Sequence, residues 1–189
     1  MNDPALEAHE HAEHAEHAAH ENNPFTSLVS ITIALLAVVA AITASLETVE
    51  SSGAIIAANE AVLAQDKATD TWAFFQAKSL KKHIYGIAAD QGGPKADEYK
   101  KTSKKEGDES LAIQNDAKKL EAEREHLLSV SQIHEARHHR LTIGATLLEI
   151  GIAISTIAII TRRRLPWIFS GLLGIAGMII AATAYVSFS

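Results

Sequence analysis

Apolar residues in this chain are not spread as a water-soluble core would need; they gather into three blocks almost free of charge. Residues 25–46, Phe25 to Leu46, carry none, residues 141–161 carry only Glu149, and residues 165–187 again carry none. A helix crossing a bilayer core needs about 20 apolar residues, so each block is long enough to span. Isolated blocks of this kind satisfy their backbone polar groups in lipid only as helices. The pattern predicts an all-α integral membrane protein with three transmembrane helices. The first block is not expected to be a cleaved signal. The leader before it, residues 1–24, holds no Lys or Arg, and the block exceeds the apolar run of about 7–15 residues found in signals.

Residues 47–140 change period rather than polarity. Two segments, about Glu47 to Ala89 and about Asp108 to Arg140, have helical patterning. The first places Ile56, Leu63, Ala73, Ala77, Leu80, Ile84 and Ile87 at three-four spacing, with Asn59, Asp66 and Asp70 interrupting the same stripe. The second offers Ile113, Ala117, Leu120, Leu127 and Val130. Between them "DQGGPKADEYKKTSKKEGDE", residues 90–109, joins breakers to charges and is predicted to be a solvated tip. The two stripes bury each other by folding back as a long antiparallel hairpin resembling a coiled coil. Neither arm meets a breaker before its apolar block, so continuous helices are expected.

Two helices bury little apolar surface alone, and a homo-oligomer follows as the expectation. The assembly seam is placed at Trp72, Ala73, Phe75, Ala77, Leu80, Ile84 and Ile87, with neighbouring polar residues fixing register. In the third block, Ser170 with Gly174 and Gly177 with Ala181 are small residues four apart, a spacing that lets helices from two copies approach closely.

Charge adds orientation. The formal net charge is −6, and no segment is basic enough to suggest nucleic acid. The short turn at residues 162–164, Arg162, Arg163 and Arg164, sits between two blocks with Trp167 beside it. The positive-inside rule puts that turn in the cytoplasm, the N-terminus with it, and the hairpin in the periplasm. Against this, the N-terminal tail has no positive charge and the hairpin has 14 basic residues, but long loops vote weakly. Membrane lipids are then obligatory partners. The absence of cysteine excludes disulfides and thiolate chemistry.

Three features carry candidate chemistry. His134, Glu135 and His138 spell H-E-x-x-H, in which two imidazoles four apart hold zinc while the glutamate polarises its water. No third ligand is placed by any second motif, and "HEARHHR" reads more simply as a polar collar at the headgroup level. The His- and Glu-rich tail sets His11, His14, His17 and His20 three apart, so adjacent pairs can chelate zinc or nickel. Spacing of three drifts about 60° per step on a helix, and the four do not converge. Glu149 lies mid-block where ionisable groups are costly. It is read as a protonated hydrogen-bonding group between helices, with Thr32, Thr43 and Ser170 as available hydroxyls, or alternatively as a carrier of protons or cations.

The strings "WAFFQAKS", Trp72 to Ser79, and "TRRR", Thr161 to Arg164, within "NEAVLAQDKATDTWAFFQAKSLKKHIY" and "LLEIGIAISTIAIITRRRLPWIFSGLLGIAGMIIAA", carry a resemblance. Over nearly its whole length the chain resembles a bacterial membrane-protein family described as domain of unknown function 4337. The resemblance implies three spans, a helical domain between the first and second, and an inner-membrane location. It brings no activity and no catalytic residues. The family often places basic residues just before the first span, whereas this chain has no Lys or Arg before Lys67. The expectation is a non-catalytic, self-associating scaffold or envelope assembly without a cofactor. A metal-handling membrane protein, including a zinc protease, and a small ion or proton conductor stand as alternatives.

Overall fold

A computed structural model describes residues 24–186. They form three helices: α1 (Pro24–Asp90), α2 (Ala96–Thr161) and α3 (Arg164–Val186). No strand occurs among the described residues. Each helix contains a window long and apolar enough to cross a membrane by length and composition. The described residues divide into two compact units, one built from residues 24–54 and 132–186, the other from Ile55–Ser131.

In the first unit, α1 contributes Val29, Ile33, Leu36, Ala37 and Ala40 to a buried cluster completed by Leu148, Ile152 and Ala158 of α2. Phe25 meets Trp167 of α3 edge-on at 6.3 Å, and the Trp167 indole donates to Thr32 Oγ1 at 3.1 Å. Where α2 meets α3, the residues are small: a Cβ on Gly144 would stand 2.9 Å from the Gly177 carbonyl, and one on Gly177 would stand 2.8 Å from the Gly144 carbonyl. Ser155 and Ser170 share a hydrogen bond of 2.6 Å in the same contact. Ser170, Gly174 and Gly177 are thus buried within one chain, which corrects the expectation that they bring copies together. Their small size serves the approach of α2 to α3.

The hydroxyls expected near Glu149 are committed elsewhere. Thr32 donates to the Leu28 carbonyl, Thr43 to the Val39 carbonyl, and Ser170 to the Trp167 carbonyl as well as meeting Ser155. Bonding back to their own helix is how hydroxyls are satisfied in apolar surroundings. At the basic turn, α2 stops on Arg162, which adopts the left-handed φ of 52°. Pro166 falls in the first turn of α3, where its missing N–H costs nothing.

The second unit is an antiparallel hairpin. Its α1 seam is Ala57, Ala61, Ala64, Ala68, Thr71, Phe75, Lys78, Tyr85 and Ala89; its α2 seam is Tyr99, Ser103, Glu106, Ser110, Ile113, Ala117, Leu120, Arg124 and Leu127. Both follow a heptad, the first with one position unfilled. Register is marked by the Trp72 indole donating to Glu121 at 2.9 Å, Arg124 donating to Gln65 at 2.9 Å, and Ser103 donating to the Lys82 carbonyl at 3.0 Å. The stripe expected to bury against α2 does not do so: Ile56, Leu63, Leu80, Ile84 and Ile87 are exposed. The small Ala61, Ala64 and Ala68 on α1 let its backbone close on the bulkier Leu120 and Leu127. This pairing also leaves Asp66 and Asp70 in solvent, whereas burial of the other stripe would have desolvated them.

The tip is shorter than the sequence suggests. Only residues 91–95 leave the helices, turning on Gly92 (φ 75°) and Gly93 (φ 108°). Helix resumes at Ala96 because the breakers end at Pro94, and Asp97 and Glu98 in the first turn favour a helix N-terminus. The charges of residues 96–109 therefore decorate a helix.

Candidate functional site

The densest polar cluster in the first unit forms where α1 and α2 leave their apolar segments. Glu47 and Glu50, three apart on α1, share a face; His134, Arg137, His138 and Thr142 share a face of α2 for the same reason. Glu50 is only 4% exposed. One of its oxygens lies 2.6 Å from His134 Nδ1, and the other accepts from the Tyr185 hydroxyl of α3 at 3.0 Å. The Arg137 guanidinium stands 4.0 Å from Glu50 and lies over the Tyr185 ring at 5.4 Å. Beside it, Glu47 accepts from Thr142 at 2.7 Å and has His138 Nδ1 at 3.8 Å. Arg140 donates to the Thr183 carbonyl at 2.8 Å. One buried carboxylate thus joins all three helices, with the Arg137 guanidinium offsetting its charge.

Gly53 makes the arrangement possible. A Cβ there would sit 2.9 Å from His134 Nδ1 and 3.0 Å from its Cε1. Glycine in a helix interior costs about 0.5–1 kcal/mol relative to alanine, and here it lets the imidazole lie flat against α1.

For H-E-x-x-H the geometry points away from a shared centre. His134 and His138 each address a different carboxylate of α1, and Glu135 is exposed. Among the described residues no group of three or more His, Asp or Glu is arranged to hold a metal ion. The arrangement can lock helices through the close contact of carboxylate and imidazole. His11, His14, His17 and His20 lie outside the described residues. Glu149 is exposed on the surface of α2, and Arg162, Arg163 and Arg164 are exposed at the turn.

The seam residues divide between two faces. Trp72 and Phe75 are half-buried and meet edge-on at 5.4 Å, with the Trp72 indole on Glu121, so both belong to the contact within the hairpin. Ala73, Ala77, Leu80, Ile84 and Ile87 face outward. Glu47, Glu50, Tyr185 and Gly53 were not anticipated. The signal was present for the first two: an acidic pair directly after one apolar block and a basic collar directly before the next must meet if the segments are antiparallel.

Deeper in the second unit, Lys78 contacts Glu109 and Glu106, and Lys81 contacts Glu106 at 2.8 Å. The hydrogen bonds from Lys81 and then Lys78 hold the Glu106 carboxyl below its ordinary range. Lys78 does the same to Glu109, while Glu109 and Glu106 raise the Lys78 ammonium.

Among known proteins, the family described as "Domain of unknown function (DUF4337)" matches residues 25–187. No curated protein and no solved structure matches the chain.

Proposed function

This chain belongs to the DUF4337 family, and we propose that it is a non-catalytic, self-associating helical scaffold anchored in the bacterial inner membrane by three spans. One observation carries the reading. On α1, positions 56, 59, 63, 66, 70, 73, 77, 80, 84 and 87 keep heptad spacing on the face opposite the hairpin seam, apolar at both ends and interrupted by Asn59, Asp66 and Asp70. Their large apolar members are exposed in a single chain. Lipid can absorb exposed apolar residues in the spans, but not in a hairpin standing in water, so large apolar residues at heptad spacing there call for more helices. The arginine turn supports a cytoplasmic position for residues 162–164 and a periplasmic one for the hairpin.

The Glu47–Glu50 cluster then acts as the clamp that fixes α1, α2 and α3 together where they leave the spans. Glu149 favours self-association as well, since a carboxyl exposed on a span is less costly against another protein surface than against lipid. The same exposure favours a second reading as a small conductor, which predicts proton or cation flux in liposomes that Glu149→Gln abolishes. The scaffold is tested by native mass spectrometry of protein released gently from membranes. An oligomer of defined size is expected, dissociated by Leu80→Glu or Ile84→Glu. A monomer under every gentle extraction condition overturns the proposal.

A further inference from the structure

The two helices of the hairpin unit differ sharply in what they show to their surroundings. Ile55, Ile56, Val62, Leu63, Phe74, Leu80, Ile84 and Ile87 of α1 are each between 53% and 62% exposed. Over the same unit α2 exposes only two large apolar residues, Leu111 and Leu128, together with six lysines including Lys118. One helix therefore has an outer face fit for burial, and the other an outer face fit for water.

We infer that copies meet α1 to α1, in parallel, with α2 outermost and with Asp66 and Asp70 forming an acidic waist in the middle of the contact. The inference rests on the scaffold reading and names its surface. The occupant is a second copy for three reasons. The face is a heptad, whose period fits a neighbouring helix. Copies anchored in one membrane with one topology point the same way, so each residue of α1 meets its equivalent around a rotation axis. Area also suffices. A large aliphatic side chain amounts to about 100 Å² of apolar surface, so eight just over half exposed offer about 400 Å² per copy. The alanines and polar stems add to that, toward the roughly 800 Å² per partner of a stable interface.

Isoleucine at both core positions of the distal heptad, Ile84 and Ile87, with Ile55 and Val62 widening the face, favours three or more copies over two. At the waist, the Asp66 and Asp70 carboxylates of neighbouring copies face one another beside the small Ala73 and Ala77. Like charges there oppose assembly, so the contact is held from its two ends and loosened at its centre.

Because the chain has no cysteine, single-cysteine variants read the contact directly. In native membranes treated with a mild oxidant, Ala77→Cys is expected to form disulfide-linked dimers and Lys118→Cys, on the outer face of α2, is not. The Asp66→Asn/Asp70→Asn variant is expected to tighten assembly about tenfold by removing the repulsion. An oligomer that cross-links through residue 118 in place of residue 77 overturns the inference and leaves the scaffold standing. So does cross-linking through residue 77 with assembly weakened by the Asp→Asn changes, which would mean that the aspartates pair with cations of the neighbour. A monomer with no cross-link overturns both.

Discussion

Gly144 is the position where one methyl group should be felt most. An alanine Cβ there would stand 2.9 Å from the Gly177 carbonyl oxygen, 3.0 Å from the Ala181 Cβ and 3.2 Å from the Ala181 nitrogen. Ordinary carbon contacts lie at about 3.5–4.0 Å, so α2 and α3 must part by roughly 0.5–1 Å. The obstacles are mostly backbone and cannot rotate away. Overpacking of this kind costs about 1–3 kcal/mol, offset in part by the helix preference of alanine over glycine, about 0.5–1 kcal/mol. The expected net loss is about 1–2 kcal/mol.

Two neighbouring glycines supply the controls. At Gly174 the added Cβ meets the Cδ2 tip of Leu36, which can change rotamer, and the loss should stay below about 1 kcal/mol. At Gly171 it meets nothing within 4 Å, and alanine should be neutral or slightly stabilising. Gly177→Ala should match Gly144→Ala. The double variant should cost less than the sum, because one separation of the helices relieves both contacts. Reversible unfolding in bicelles would rank the four variants. A Gly144→Ala protein as stable as Gly171→Ala would refute the reasoning and the close α2–α3 approach with it.

Further outcomes follow from the polar clusters. Glu50→Ala strips the acceptor from His134 and Tyr185 and leaves Arg137 without its carboxylate; unfolding in bicelles should register a loss of about 2–4 kcal/mol. Gly53→Ala should displace the His134 imidazole, seen as a changed His134 ring signal by NMR, whereas Gly86→Ala, with only Ser103 Oγ at 3.6 Å, should leave its surroundings unmoved. The Lys78–Glu106–Glu109 group gives a pH profile. Its depressed carboxyls contribute stability that is present above their ordinary range and lost as pH falls through their folded values; the raised Lys78 contributes stability that is full below the ordinary lysine range and lost as pH rises beyond it. Helical circular dichroism should therefore show melting unchanged through neutral pH and falling at both extremes, and Lys78→Met should flatten the alkaline limb.

The three apolar helices and the antiparallel hairpin were legible because hydrophobicity and period are local properties. What period could not decide was which of two heptads on α1 pairs with α2. Both run the length of the hairpin, one step out of phase, and the richer in large side chains looked like the seam. The choice depends on the partner surface: near the base of the hairpin α2 brings Leu120 and Leu127, and a helix facing them fits better with alanine than with leucine. The small residues of α3 posed a similar ambiguity, since Gly174 and Gly177 can admit a helix of the same chain or of another. H-E-x-x-H was ambiguous for a different reason. A motif records which residues share a helix face but not what lies opposite, and opposite His134 and His138 stand Glu50 and Glu47.

The chain answers most of its polar demands internally and its apolar demands only in part. Thr32, Thr43 and Thr156 in the apolar segments bond back to their own helices, and the buried Glu50 and Glu106 meet histidine, arginine, tyrosine or lysine. Large apolar side chains remain exposed in both units. With the apolar segments as spans, as proposed, that exposure needs no account there, because lipid is as apolar as leucine. Beyond them water penalises it at about 25 cal/mol per Å², and the penalty falls almost wholly on α1. A helix under pressure only to pair with α2 could carry charge at positions 56, 63, 80, 84 and 87, as α2 does on its own outer face. The conspicuous charges on that stripe of α1 are Asp66 and Asp70, at its centre, where they cost assembly least at the apolar ends and most at the waist. A neighbouring helix is therefore the partner we propose for this face, with the aspartates limiting how tightly it would be held.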